Sequence, residues 1–251
     1  MSVITTGDSA HTAGTSFRIP DRLQERLAEA ACYAVLRRIA PVLRHDMAGL
    51  MQPVGMLMMV LQRRVQMPEP DLQAIAKNVT SVSALAKEAT AGCMNAMGWM
   101  ASREDAAVSL RSSVNEAAIL LSVELSTQGL EISNIIPVDS AIVPQSFFRS
   151  VLVGALLAFC DQRMVGGTLQ ISLDTEAGNN TTANRLMLRM LPRDASAVPG
   201  LPEIPELTVS PAIDCPSRSI DWADVEAMAG SFGVAVARGE GYLAVGLPKV
   251  D

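Results

Sequence analysis

A histidine and an aspartate, His45 and Asp46, stand side by side in "LRHDMAGLMQPV" (Leu43 to Val54), a run otherwise dominated by Met, Leu, Val and small residues. A free imidazole titrates near ~6.5, so around neutral pH most of it carries a lone pair able to attack an electrophile. An adjacent carboxylate can take one ring N–H, which fixes the tautomer, frees the other nitrogen as nucleophile and stabilises the cation formed on attack. Moving a phosphoryl group needs little beyond such a nucleophile, in-line geometry and a divalent cation, which a partner can bring.

The element that must position this pair is a helix. Leu36, Ala40, Leu43, Met47, Leu50, Val54, Leu57 and Leu61 recur at alternating spacings of four and three, the pattern of a buried bundle seam. With Leu43, Leu50 and Leu57 at d and Met47, Val54 and Leu61 at a, His45 falls at f, furthest from the seam, and Asp46 at g. The pattern therefore predicts an exposed imidazole rather than a core histidine. After the break "MPEPD" (Met67 to Asp71), a second helix capped by Asp71 repeats the seam with Leu72, Ile75, Val79, Val82, Ala86, Ala89, Cys93, Ala96 and Met100. One hairpin covers each seam on a single neighbour only. Two hairpins close a four-helix core, so a homodimer is expected.

Around the histidine the surface positions are unusually apolar. Met51 and Met58 fall at e and Met56 at c, while Gln52 and Met59 share the f stripe with His45. Adaptable methionines and the small Ala48 and Gly49 suit close approach by another protein, so Arg44, Ala48, Gly49, Gln52, Met56 and Met59 are the predicted partner-binding residues. For Met51 and Met58, packing against the second domain or within the bundle is the favoured alternative.

Of 251 residues, 49% are hydrophobic, enough for real cores, and the net charge is −6 with no run of more than two Lys or Arg. That balance argues against nucleic acid or an anionic membrane as partner. The four cysteines, Cys32, Cys93, Cys160 and Cys215, lack metal-binding or redox spacing, and the purest apolar run, Val151 to Cys160, is too short to span a bilayer. A cytoplasmic protein is expected, with a disordered tail over residues 1–18 and the hairpin over 19–102.

Residues 103–251 change texture. The patterns predict a helix over Ser113 to Gln128 ended by Gly129, a strand over Leu130 to Ile136, and a buried helix over Pro144 to Cys160. Strands follow over Thr168 to Leu173 and Asn184 to Met190, joined at "GNN". Leu191 to Ser219 holds six of the fourteen prolines and reads as a long loop. A helix capped by Asp221 and two strands around "GEG" complete an α/β sandwich, so the whole chain is α+β.

The stretch "RHDMAGLMQPVGMLMMVLQRR" (Arg44 to Arg64), on the first helix of a dimerising hairpin, resembles the phosphoacceptor helix of two-component histidine kinases and of the histidine phosphotransferases that share their architecture. The resemblance implies that His45 is phosphorylated and that Asp46 assists. One departure is that the proline usual five residues after the histidine stands eight after it, as Pro53. The second region resembles the kinases' ATP-binding domain in element order and in its closing "GEGYLAVGLP". The family's metal-holding asparagines, however, fall at Gly154 and Ala158; the strand expected to lead into Asp-x-Gly-x-Gly leads to Asp194 without the glycines; and the loop expected to be glycine-rich has a single Gly200. The resemblance thus implies a phosphotransferase with a degenerate ATPase-like domain. It would bind no cofactor itself, and it would exchange phosphoryl groups with response regulator receiver domains that supply Mg²⁺. The alternative is a pseudokinase adaptor that binds a receiver or kinase without transfer.

Overall fold

The structure is a computed structural model; it describes residues 21–100, 106–162, 166–178, 181–192 and 218–248. The tail, Asp194, Gly200, Cys215 and most of the proline-rich passage lie outside the described residues.

Two long helices open the chain, α1 (Asp21–Val65) and α2 (Leu72–Met100). At ~1.5 Å per residue, α1 is roughly 68 Å long. Asp21 lies in its first turn and Arg63 and Arg64 in its last, each complementing the helix dipole. Pro41 and Pro53 both sit inside α1; each lacks the N–H that would bond four residues back. Asp71 caps α2 as expected, its carboxylate accepting from the N–H groups of Gln73 and Ala74 at 3.0 Å.

The first seam faces the hairpin partner, since Leu36, Leu43, Met47, Leu50, Val54, Leu57 and Leu61 are all half-buried. Ala40 is exposed instead. The second seam is partly displaced: Leu72, Val79 and Met100 are exposed, and α2 turns Asn78, Leu85 and Gly92 inward beside Val82, Ala89 and Ala96. Gly92 lets α1 come close, because a Cβ there would meet the Leu50 side chain.

The remaining elements form an α/β sandwich, as expected, with a five-stranded sheet in the order β2-β4-β5-β7-β6. These strands are β2 (Leu130–Asn134), β4 (Gly167–Gly178), β5 (Thr181–Pro192), β6 (Val236–Gly239) and β7 (Tyr242–Gly246); β2 runs parallel to β4 and the other pairs are antiparallel. Two short strands, β1 (Ala107–Ser109) and β3 (Ile142–Pro144), pair separately and were not foreseen; three residues are too few to establish an alternation. The single helix expected over 113–128 is instead two, α3 (Leu110–Leu120) and α4 (Ser122–Thr127), broken at Leu121, and Gly129 follows with φ +67°.

The buried helix is α5 (Gln145–Phe147), running through a π-helical turn (Phe148–Leu152) into α6 (Val153–Asp161). Every residue from Val151 to Cys160 is buried, and burial raises the Cys160 thiol pKa to about 12. The sheet contributes Leu169, Ile171, Leu186, Leu188, Leu243 and Val245 to the same core, and α7 (Trp222–Ser231) adds Val225, Met228 and Ala229.

The first half of α1 belongs to this core too. Ala31, Ala34, Val35 and Ile39 pack in one cluster with Leu156, Val225 and Met228. The small alanine face allows α1 close to α6 and α7, so the hairpin and the sandwich share a continuous apolar interior.

Candidate functional site

The His45 side chain is 87% exposed and that of Asp46 62%, as the heptad position predicts. His45 Nδ1 lies 3.3 Å from Asp46 Oδ1. In the tautomer with hydrogen on Nδ1, the carboxylate accepts that proton and the Nε2 lone pair is free to attack. Arg44, Ala48, Gly49, Gln52, Met56 and Met59 are all exposed on α1, and so are Met51 and Met58. Within one chain, therefore, Met51 and Met58 pack into neither the hairpin nor the sandwich.

Seven residues before His45, the same f stripe carries Arg38, whose role the sequence reading missed. Arg38 Nε donates to Glu124 Oε1 at 2.8 Å, and Nη2 donates both to that oxygen and, at 2.9 Å, to Asp161 Oδ1. Burial alone would lower the arginine's pKa, but the Glu124 and Asp161 carboxylates outweigh it and raise it. Asp161 Oδ2 also accepts from the backbone N–H of Ile220 at 2.7 Å. One guanidinium thus ties α1 to α4, to the end of α6 and to the approach to α7. The heptad carried a signal for it, namely a cation on the stripe of the histidine with an acid ending the buried "LLAFCD".

A second arginine joins the two regions from the other side. Arg149, in the π-helical turn, is only 9% exposed; it donates to the Gly98 carbonyl in the last turn of α2 and lies 5.0 Å over the Trp99 ring. Gly98 permits this approach, since a Cβ would stand 3.0 Å from Arg149 Nη1. Burial lowers the pKa of Arg149, opposed by Glu116.

Among the described residues, the two helix positions where the resemblance expects metal-holding asparagines do not fit a metal ion. Gly154 and Ala158 offer no side-chain donor and are buried. A Cβ at Gly154 would stand 2.4 Å from Met228 Cε and 3.5 Å from Val35 Cγ2, so the end of Met228 would have to move aside for any side chain there, while Val35 stands at ordinary contact distance. The start of α7 is likewise taken by carboxylates of the chain itself. Asp161 holds the Ile220 N–H, and Asp221 and Asp224 form a reciprocal capping box. A phosphate would meet three acidic groups there instead of free N–H donors. Among the described residues, no cluster of His, Cys, Asp and Glu could hold a metal ion, and no helix is long and apolar enough to cross a membrane.

No protein-family model matches this chain, and no curated protein matches it. Among solved structures, the likeness to the Acinetobacter baumannii histidine kinase AdeS covers 78% of this chain and 96% of that one at 13% identity, with a TM-score of 0.38. A bacterial phosphotransferase is matched over 91% of this chain and 97% of its own at 13% identity and a TM-score of 0.31. The histidine kinase ThkA, solved in complex with the response regulator protein TrrA, is matched over 92% of this chain and 66% of that one at 13% identity and a TM-score of 0.33. Scores this low carry no argument about activity, so the functional reading rests on this chain's own residues.

Proposed function

We propose that this chain is a histidine phosphotransferase of a two-component phosphorelay, passing a phosphoryl group between receiver-domain aspartates through His45 without using ATP. One observation carries the reading: the His45 ring stands outward on a rigid helix with Asp46 at its Nδ1, while the end of Met228 covers the helix face at Gly154 where the resembled kinases hold their metal. An autokinase has to carry its nucleotide domain to its histidine. Here the buried alanine face of α1 and the Arg38 and Arg149 contacts hold that domain in place.

In the forward step the Nε2 lone pair attacks the phosphorus of an aspartyl phosphate. The N–P bond forms as the P–O bond to the aspartate breaks, and the carboxylate leaves without needing a proton. The Nδ1 proton stays on the ring, where Asp46 offsets the positive charge of the phosphoimidazolium. A second receiver's carboxylate reverses the process, and the divalent cation belongs to the receivers. The exposed Gln52, Met56 and Met59, with Arg44, Ala48 and Gly49, form the docking face around the ring.

Dimerisation is part of the proposal. A groove of about 400 Å³ runs along α1 and α2, lined by Tyr33, Leu36, Leu43, Met47, Ala96 and Met100 among others. In α2 only Ala89 and Ala96 are fully buried, so a second hairpin would complete the core.

The test uses the receiver domains encoded in the source genome, each loaded with phosphate from acetyl phosphate. At least one should label the protein in an acid-labile form, and His45→Ala should abolish the label. Receiver binding without label leaves the adaptor reading instead, and labelling from ATP alone refutes the closed nucleotide face.

A further inference from the structure

Along α1, His45, Gly49, Gln52, Met56 and Met59 follow one another at spacings of four and three, the outer counterpart of the buried seam. At about 100° per residue, Met56 lies roughly 20° to one side of His45 and Met59 roughly 40° to the other, about 16 Å and 21 Å further along the axis. All five residues are exposed, and a Cβ at Gly49 or Gly55 would meet no atom within 4 Å. The described chain therefore leaves this strip uncovered. Met56 is 51% exposed and Met59 65%, both opposite the seam, so a second hairpin closing the bundle would leave their sulfurs open to solvent.

An oxidant reaching this surface meets thioethers before reactive thiols. A thiol reacts as its thiolate, and burial raises the pKa of Cys32 and pushes that of Cys160 up to about 12. A thioether needs no deprotonation. Oxidation turns its flexible apolar surface, the property that suits methionine to docking, into a polar one.

We infer that Met56 and Met59 form a redox modification site: their conversion to sulfoxide by a peroxide-class oxidant closes the docking face to the receiver and leaves the chemistry of His45 intact. This rests on the phosphotransferase reading. In the modification, a sulfur lone pair attacks one peroxide oxygen. The S–O bond forms as the O–O bond breaks, sulfur is oxidised by two electrons, and the departing hydroxide takes the proton from the transferred oxygen and leaves as water. Docking then has to strip water from two sulfoxides, whereas a small phosphoryl donor reaches the His45 ring without touching either.

The experiment treats three proteins with hydrogen peroxide, removes the peroxide, and compares each with its own untreated sample. They are wild type, Met56→Leu/Met59→Leu and, as a control for thioethers exposed elsewhere, Met67→Leu/Met94→Leu. Peptide mass mapping locates the sulfoxides. The phosphoryl donors are phosphoramidate and whichever acetyl-phosphate-loaded receiver labels untreated wild type fastest. Treated wild type and the control should need about tenfold more receiver for half-maximal rate, because a polar group is desolvated on docking, while labelling by phosphoramidate stays unchanged. Met56→Leu/Met59→Leu should show no such difference between treated and untreated samples, and methionine sulfoxide reductases of both epimer specificities should restore wild type. Unchanged receiver dependence in wild type carrying both sulfoxides overturns the site and leaves the phosphotransferase reading standing. So does an equal loss in Met56→Leu/Met59→Leu, a parallel loss with phosphoramidate, or a Met56 and Met59 that stay reduced while Met67 and Met94 oxidise. Label that persists in His45→Ala, or no transfer from any receiver to untreated wild type, overturns the phosphotransferase reading itself.

Discussion

Replacing Gly154 with asparagine would supply the residue type that the resembled kinases use to hold a metal, at a position where Met228 stands in the way. The new Cβ would stand 2.4 Å from Met228 Cε, against ~3.5–4.0 Å for carbon atoms in contact, so a fully buried methyl has to move by more than 1 Å. Because Cε is the free end of a flexible side chain, moving it aside costs about 1 kcal/mol, the low end for overpacking. The amide would add roughly 1–3 kcal/mol if left without a partner in an apolar core, and Gly→Asn returns only ~0.3 kcal/mol of helix propensity. The net loss is roughly 2–4 kcal/mol, or about 4–16 °C in melting temperature for a chain of this length. Thermal unfolding measures the loss, and a fluorescent ATP analogue with Mg²⁺ should show no binding. Because the clash is with Met228, the double variant Gly154→Asn/Met228→Ala should be less destabilised than the sum of the singles by about 1–2 kcal/mol. A Gly154→Asn protein that melts within ~1 °C of wild type and binds the analogue would refute the closed face.

Asp46→Asn should slow phosphotransfer by about tenfold to a hundredfold while leaving the melting temperature unchanged, because the pair is exposed and acts on the ring's tautomer and charge; stopped-time labelling checks this. Arg38→Ala should cost about 2–3 kcal/mol in denaturant unfolding by stranding Glu124 and Asp161, and Arg38→Lys should not restore it, since one ammonium cannot span both acids. Burial would raise the Asp224 pKa, but the two 2.6 Å bonds from Arg218 and the Asp221 N–H outweigh it and leave the carboxyl below its usual range. A folded-state pKa below the unfolded one contributes stability that is complete above about pH 4 and lost as pH falls through the folded value. Asp224→Asn should therefore lower the melting temperature at pH 7, with a gap to wild type that narrows towards pH 3.

The sequence by itself determined the elements with a period or a punctuation mark. The four-three spacing from Leu36 to Leu61 set the helix and pointed His45 outward, because a rotation of ~100° per residue leaves no freedom once one stripe is buried. Asp71 and Asp221 marked helix starts, since an uncapped first turn leaves N–H groups unpaired. The ten uncharged residues from Val151 to Cys160 announced a helix covered on all sides.

What only the tertiary structure decided concerns contacts between residues far apart in the chain. The register of α2 slipped from the simple heptad because Gly92 lets α1 approach more closely than a pattern of apolar letters foretells. No local signal showed that α1 runs on into the core of the sandwich, because its alanine face reads as helix-former and core alike. Nor could spacing join Arg38 to Glu124 and Asp161, which lie 86 and 123 residues away. Helical periodicity aims a side chain within its own element, whereas its partner is chosen by how the elements pack; for this protein, periodicity exposed the histidine and packing tied Arg38 to the sandwich.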